Sequence, residues 1–323
     1  MPCIVILVVL LYNIMMTELL GLEKSDFHSH LTGSLNPEEM LALAAACDRP
    51  DITLTHTGDR FAFDDPEVWA VGKELTSTVV GLSVAIDQIT NDKTRDNVTY
   101  AEVTLNTSGM LRRGMSREGL IQTLAGSAEA ASAGGLDLRY KFGVNRREGP
   151  DGVADVASVY LDCPEHLRSS VDLNGDERLF PTEQFVAPFR QLVRRGIRTS
   201  IHAGEFPDME DSLVAALDAE PTRIAHVIAA AHRPDLQKRL ASQGVVVELL
   251  PTSNLQLGGI TTMADHPLKS LLDQGIPILL GTDDPGVFGN TMTQEYEMLA
   301  RAGLSLTEIT ELNNAINDLR LKK

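Results

Sequence analysis

Short β-branched or aliphatic runs recur along this chain, each followed by a longer stretch of helical period. The runs fall at residues 26–31, 98–105, 138–144, 170–173, 199–203, 223–227, 245–249 and 276–282. Helical stretches lie between them at 37–47, 116–133, 182–195, 208–217, 234–242 and 267–274. The first helix has Asn36 placed to cap it and Pro37 in its opening turn. Eight strands alternating with helices predict an α/β chain folded as a parallel (β/α)8 TIM barrel. A doubly wound sheet would need a glycine-rich turn after its first strand. Here that strand ends in His28-Ser29-His30 instead.

Beyond residue 20 there is no Pro/Gly/Ser-rich linker, repeat or low-complexity tract, so residues 17–323 are expected to form a single domain. Residues 1–16 read as an N-terminal extension. Their apolar run at 3–12 is shorter than the roughly 20 residues a membrane span requires. It also lacks the basic flank and small-residue cleavage point of a secretory signal. It reads as a β-rich appendage or, preferably, as sequence upstream of a natural start at Met15 or Met16.

Lys and Arg number 28 against 45 Asp and Glu, a net charge of −17. Nucleic-acid binding needs clustered cations, so that partner is excluded, and no membrane is implied. Three cysteines, Cys3, Cys47 and Cys163, make no disulfide framework and suit a reducing, cytoplasmic compartment.

Barrel chemistry collects at the C-terminal ends of strands, and that is where the reactive residues fall. His28 and His30, two residues apart on one strand, face the same side and can share a metal ion. Alone such a pair is a weak signal. The fifth strand adds His202, then Ala203 and Gly204, which let Glu205 turn toward the same cavity. The sixth ends in His226 and the eighth in Asp283-Asp284-Pro285. An Asp-Asp-Pro turn can be plain capping chemistry, but two carboxylates at a barrel mouth repel unless a cation compensates. Three imidazoles and a carboxylate form a nitrogen–oxygen set that suits Zn2+. Gly175, after the fourth strand, would let a backbone N–H approach a flat ligand. Residues 248–254 form a polar turn over the same face.

HSHLTGS at 28–34, VDLNGDE at 171–177, HAGE at 202–205, RIAH at 223–226, ELLPTSN at 248–254 and TDDP at 282–285 follow one another in a familiar order. From Asp26 to Tyr296 the chain resembles the adenosine/AMP deaminase family of the zinc-dependent amidohydrolase superfamily. The resemblance implies a (β/α)8 barrel that hydrolytically removes the exocyclic amine of a small-molecule aminopurine, in the simplest case adenosine to inosine plus ammonia. It implies one zinc per chain, bound by His28, His30, His202 and Asp283. Glu205 would be the proton donor to the ring, with His226 beside the attacking water. The proton of that water could pass to Asp283 or to His226. Asp284 and the Gly175 backbone would hold the purine, with Thr32 and His30 also on the substrate side.

The chain departs from the family at several points. Many members that act on adenosine carry Asp where Thr32 stands, which keeps adenine, N6-modified adenine or its nucleotide, and aminofutalosine-type compounds open. Val227 stands where the family usually has Gly. Ile316 follows Asn314-Ala315 where Ser-Phe is usual, which predicts a shortened last helix. Phe61, Phe63 and Trp69 occupy the region of the family's apolar lid, and they fit a plain core equally well.

Other functions fit less well. Two-metal relatives bridge their ions with a carboxylated lysine on the fourth strand, which here carries Asp172 and Asn174. A non-catalytic binding protein would be expected to lose Glu205 or a metal ligand, and none is lost. The cytidine-type zinc deaminases need H-x-E and P-C-x-x-C.

Overall fold

A computed structural model describes residues 2–54 and 60–321. Eight parallel strands form one sheet in sequence order: β1 (Lys24–His30), β2 (Val98–Leu105), β3 (Asp137–Asn145), β4 (Arg168–Asn174), β5 (Thr199–Ala203), β6 (Arg223–His226), β7 (Val246–Leu249) and β8 (Ile278–Leu280). A bridge between Ser29 and Asp283 joins the last strand to the first. Across it the His30 N–H donates to Asp283 O and the Asp283 N–H to His28 O, each at 2.8 Å. The chain is a (β/α)8 TIM barrel, as the alternation predicts. β8 is shorter than the expected 276–282 because Asp283 turns to φ 63°, which bends the chain out of the sheet.

The faces of the strands divide the labour. Ile201, Ile224, Val247 and Leu280 are buried in the apolar core. Several residues of opposite phase carry charge into the barrel axis. Arg223 Nη1 reaches Glu102 at 2.7 Å and Glu248 at 3.2 Å, and Lys141 Nζ lies 2.6 Å from both Glu248 oxygens. Two acids and two bases therefore pair beneath the barrel mouth, where an unpaired charge would be strongly destabilising. In β1 the register slips between Asp26 and Ser29. Phe27 then lies under the Arg223 guanidinium while His28 also reaches Glu248.

The expected cap is present: Asn36 accepts from the Glu39 N–H while the Glu39 carboxylate accepts from the Asn36 N–H. Two features differ from expectation. The first residues are helical rather than β-rich, in one helix spanning Pro2–Gly21 with no break at residue 17. The later part of this helix is anchored, with Leu19 buried and Met15 and Met16 packed against the core, whereas Leu10, Tyr12 and Ile14 are exposed. No helix among the described residues is long and apolar enough to cross a membrane. The last helix, Leu306–Leu321, runs for 16 residues despite the altered motif. It buries Ile309 and Ile316, and Asn313 and Asn317 both donate to Glu23 O at 3.0 Å beside β1.

Candidate active site

At the C-terminal end of the barrel, His28, His30, His202 and Asp283 offer ligand atoms that all lie within 4.8 Å of one another. His30 Nε2 stands 3.3 Å from His28 Nε2, 3.1 Å from His202 Nε2 and 3.3 Å from Asp283 Oδ1. The far ring nitrogens explain this crowding. His28 Nδ1 lies 2.6 Å from Glu248 Oε2, and His202 Nδ1 lies 2.9 Å from Leu173 O. Both partners only accept, so each imidazole carries its hydrogen on Nδ1 and turns a bare Nε2 lone pair inward. Lone pairs at such separations repel, and a divalent cation between them turns the repulsion into coordination. The donor set fits a nitrogen- and oxygen-binding metal.

The electrostatics agree. Burial, reinforced by the Lys141 charge, drives the His28 pKa well below its ordinary value, so the ring is neutral. Burial also disfavours charge on His30, but the carboxylates of Asp284, Asp283 and Asp172 outweigh it and lift the pKa to about 9. A proton therefore competes with a metal for this ring. For Asp283, burial is outweighed by the His30 hydrogen bond and the charges of His30, His226 and His28, which keep the carboxyl ionised.

Beside this cluster opens a cavity of about 620 Å³, lined by His30, His202 and Asp283 together with Thr32, Gly175, Glu205, His226 and Asp284. Every residue given a catalytic, metal-binding or substrate-binding role from sequence lines it except His28, which stands behind the others. Glu205 follows β5 on a turn held from below. Glu177 accepts from the Gly204 N–H at 2.9 Å and the Glu205 N–H at 2.8 Å, and also from the Ser212 hydroxyl. Burial, with Asp283, Glu177 and Asp284 nearby, raises the Glu205 pKa well above the carboxylate range. This acid keeps its proton.

His226 sits in a turn of the rarer, strained hand. Its φ is 73°, and the Val227 N–H bonds back to Ala225 O at 3.1 Å. Val227 follows at φ 53°, unusual for a β-branched side chain and the reason glycine suits this position. The strain points the ring across the cavity, with Nε2 at 3.9 Å from Glu205 Oε1 and Nδ1 at 3.0 Å from the Asn254 amide. Burial, with the His202 and His30 charges, pushes the His226 pKa down to about 3. Asp284 has a buried Oδ1 with no partner, and burial beside Asp283 raises its pKa to about 7. Gly175 adopts φ 99° in the loop after β4.

The aromatics divide. Phe61 belongs to the core, whereas Phe63 and Trp69 line the cavity. The Trp69 indole N–H donates to Phe63 O at 2.7 Å, and Phe63 stacks on Phe288.

Several residues of the site were given no role from the sequence. Glu248 orients His28, and Lys141 sits behind it. Asp172 Oδ1 lies 3.5 Å from His202 Nδ1, and Arg146 donates to His202 O at 2.5 Å. A charge inside an apolar strand was the available signal for Lys141, Asp172 and Glu248. Arg146 has no such signal, since it stands beside the exposed Arg147 after the strand ends.

The sequence profile named adenosine deaminase matches residues 23–320. The chain belongs to the adenosine deaminase family. Its relatives include an aminodeoxyfutalosine deaminase of Streptomyces coelicolor, 29% identical over 87% of this chain and 75% of that protein. An adenosine deaminase of Erwinia tasmaniensis is 30% identical over 88% and 90%. An adenine deaminase of Mesorhizobium japonicum is 29% identical over 86% and 87%. The fold is shared with an Arabidopsis N6-mAMP deaminase, at TM-score 0.80 and 22% identity over 94% of both chains. It is shared also with a zinc-containing amidohydrolase of Burkholderia ambifaria, at TM-score 0.80 and 20% identity over 94% of this chain and 86% of that one. Members of this adenosine deaminase family are hydrolases acting on C–N bonds of amidines.

Proposed function

We propose that this protein removes the exocyclic amine of an aminopurine by hydrolysis, adenosine to inosine plus ammonia being the simplest case. His28, His30, His202 and Asp283 would hold one zinc ion, a choice supported by their chemistry and by the zinc in the Burkholderia relative of the same fold. When bound, zinc lowers the pKa of water to about 7 and so supplies a nucleophile at neutral pH.

The chain's own residues do the rest. Glu205, whose burial favours the protonated form, gives its proton to a ring nitrogen as water adds to the amine-bearing carbon, so negative charge does not build up on the purine. His226, neutral and fixed by Asn254, takes the proton of the attacking water and passes it to the amine, which leaves as ammonia while the new hydroxyl returns a proton to Glu205. Asn254 Oδ1 is otherwise unpartnered. With the amide turned so that this oxygen accepts the Nδ1 hydrogen, Nε2 keeps its lone pair for that task. Asp284 Oδ1 and the Gly175 N–H hold the ring edge, with Thr32 toward the purine's substituent. The free thiols of Cys47 and Cys163 support a cytoplasmic home.

The observation that carries this reading is the pair of tautomer-fixed imidazoles, His28 and His202, aimed at one point beside a protonated acid. The test is ammonia release by zinc-loaded protein from adenosine, adenine, N6-methyladenosine, AMP and aminodeoxyfutalosine. Release from at least one, abolished by chelation and restored by zinc, is expected. Fully metallated protein that releases ammonia from none would overturn it.

A further inference from the structure

Resting on that reading of the site, we infer that the substrate carries an anionic substituent, a phosphate or a carboxylate, and that Lys73 and Arg147 bind it at the cavity mouth, with Arg178 beside them. All three line the cavity beside the candidate metal-ligand cluster. The cluster is at its buried end, whereas Lys73 is half-buried and the two arginines are exposed. In a chain of net charge −17, three cations at one mouth run against the overall balance.

Their partners are few. Among the described residues, neither the Lys73 ammonium nor the Arg147 guanidinium has a hydrogen bond or ion pair with the protein. Lys73 Nζ lies 5.9 Å from the centre of the Trp69 ring. Arg178 stacks on Phe206 and meets Asp208 at 3.4 Å. Nearby carboxylates are engaged elsewhere. Glu177 holds the Glu205 turn, Asp176 accepts the N–H groups of Arg178 and Leu179, and Glu148 faces Arg112 at 3.5 Å. Asp284 eases the Lys73 charge, but burial and the charges of Arg113 and Arg147 disfavour it more. An oxyanion would offset that penalty and accept charge-assisted hydrogen bonds.

Position 32 fits the same picture. Lys73 rides on the helix Pro66–Leu75, which presses against the loop after β1 at Gly72. A Cβ on Gly72 would stand 2.5 Å from Thr32 Cγ2. An aspartate at position 32 would bring a carboxylate beside the Lys73 turn and compete for its ammonium. Threonine leaves that ammonium for the ligand.

Binding is tested on reaction products, apart from turnover. Calorimetry would compare inosine, inosine 5′-monophosphate and inosine-5′-carboxylate on zinc-loaded wild type, K73Q and R147Q, at low and high salt. At least one anionic product is expected to bind about tenfold or more tighter than inosine. Whichever anion gains more identifies phosphate or carboxylate. That preference should shrink as salt is raised and fall about tenfold in each variant. Inosine binding as tightly as both anions, or variants that weaken all three products equally, would overturn the inference. Ammonia release from adenosine alongside such a result would leave the deaminase reading intact. Anion preference with no ammonia from any aminopurine would sink that reading while upholding the subsite.

Discussion

The imidazole of His28 and the carboxylate of Glu248 meet at 2.6 Å between Nδ1 and Oε2, and Lys141 Nζ lies 2.6 Å from that same oxygen. Burial would raise the Glu248 pKa, but Lys141 and Arg223 hold it below the ordinary value, so the group stays a full acceptor for the His28 hydrogen. Glu248→Gln keeps the shape and removes the charge that balances two buried cations. Metal affinity should fall about 10–100-fold, read by competition with a chromophoric chelator. Stability should fall by about 3–5 kcal/mol in denaturant unfolding. Adding Lys141→Met should recover part of the stability and little of the affinity. Wild-type metal affinity in the single variant would remove Glu248 from the site.

Glu205→Gln should retain metal at wild-type stoichiometry and lose about 10²–10⁴ in kcat. The pH profile sharpens the test. The proposed role requires this acid protonated, so the wild-type rate should fall as pH rises through its elevated pKa. The variant should lack that alkaline limb. Near-normal turnover would assign the proton donation elsewhere.

Val227 is buried yet held at φ 53°, which only glycine adopts without strain. Val227→Gly loses a buried side chain, normally a cost of several kcal/mol, and relieves about 1–3 kcal/mol of backbone strain. The two effects oppose each other, so the melting temperature should move far less than in Val247→Gly, which truncates a buried strand residue with no strain to release. Equal losses in the two variants would contradict the strain.

Glu295 offers a pH test outside the cavity. Burial raises its pKa from 4.5 to about 7, although hydrogen bonds from Thr252 and Asn290 pull the other way. Between those values the unfolded chain has released the proton and the folded protein has kept it. This group's contribution to stability is therefore complete below pH 4.5 and is lost as pH rises through about 7. The loss is on the order of 3 kcal/mol. Glu295→Gln should flatten the stability slope across that window, measured by denaturant unfolding at stepped pH.

The sequence by itself determined the barrel and the reactive set at its mouth. Strand and helix periods are local, so eight apolar runs spaced by helices can be counted without knowing how they pack. His28 and His30 share a face because strand geometry repeats every two residues, and each remaining reactive residue closes its own run. Only the tertiary structure decided what stands behind and around them. Glu248 reaches His28 from β7, Lys141 from β3 and Asp283 from the far end of the chain, because closure sets which strands face each other. The helical course of residues 2–21 and the approach of Gly72 to Thr32 depend likewise on surfaces made by distant segments. Periodicity along a chain carries the direction of a side chain; the partner it meets depends on register and packing across the fold.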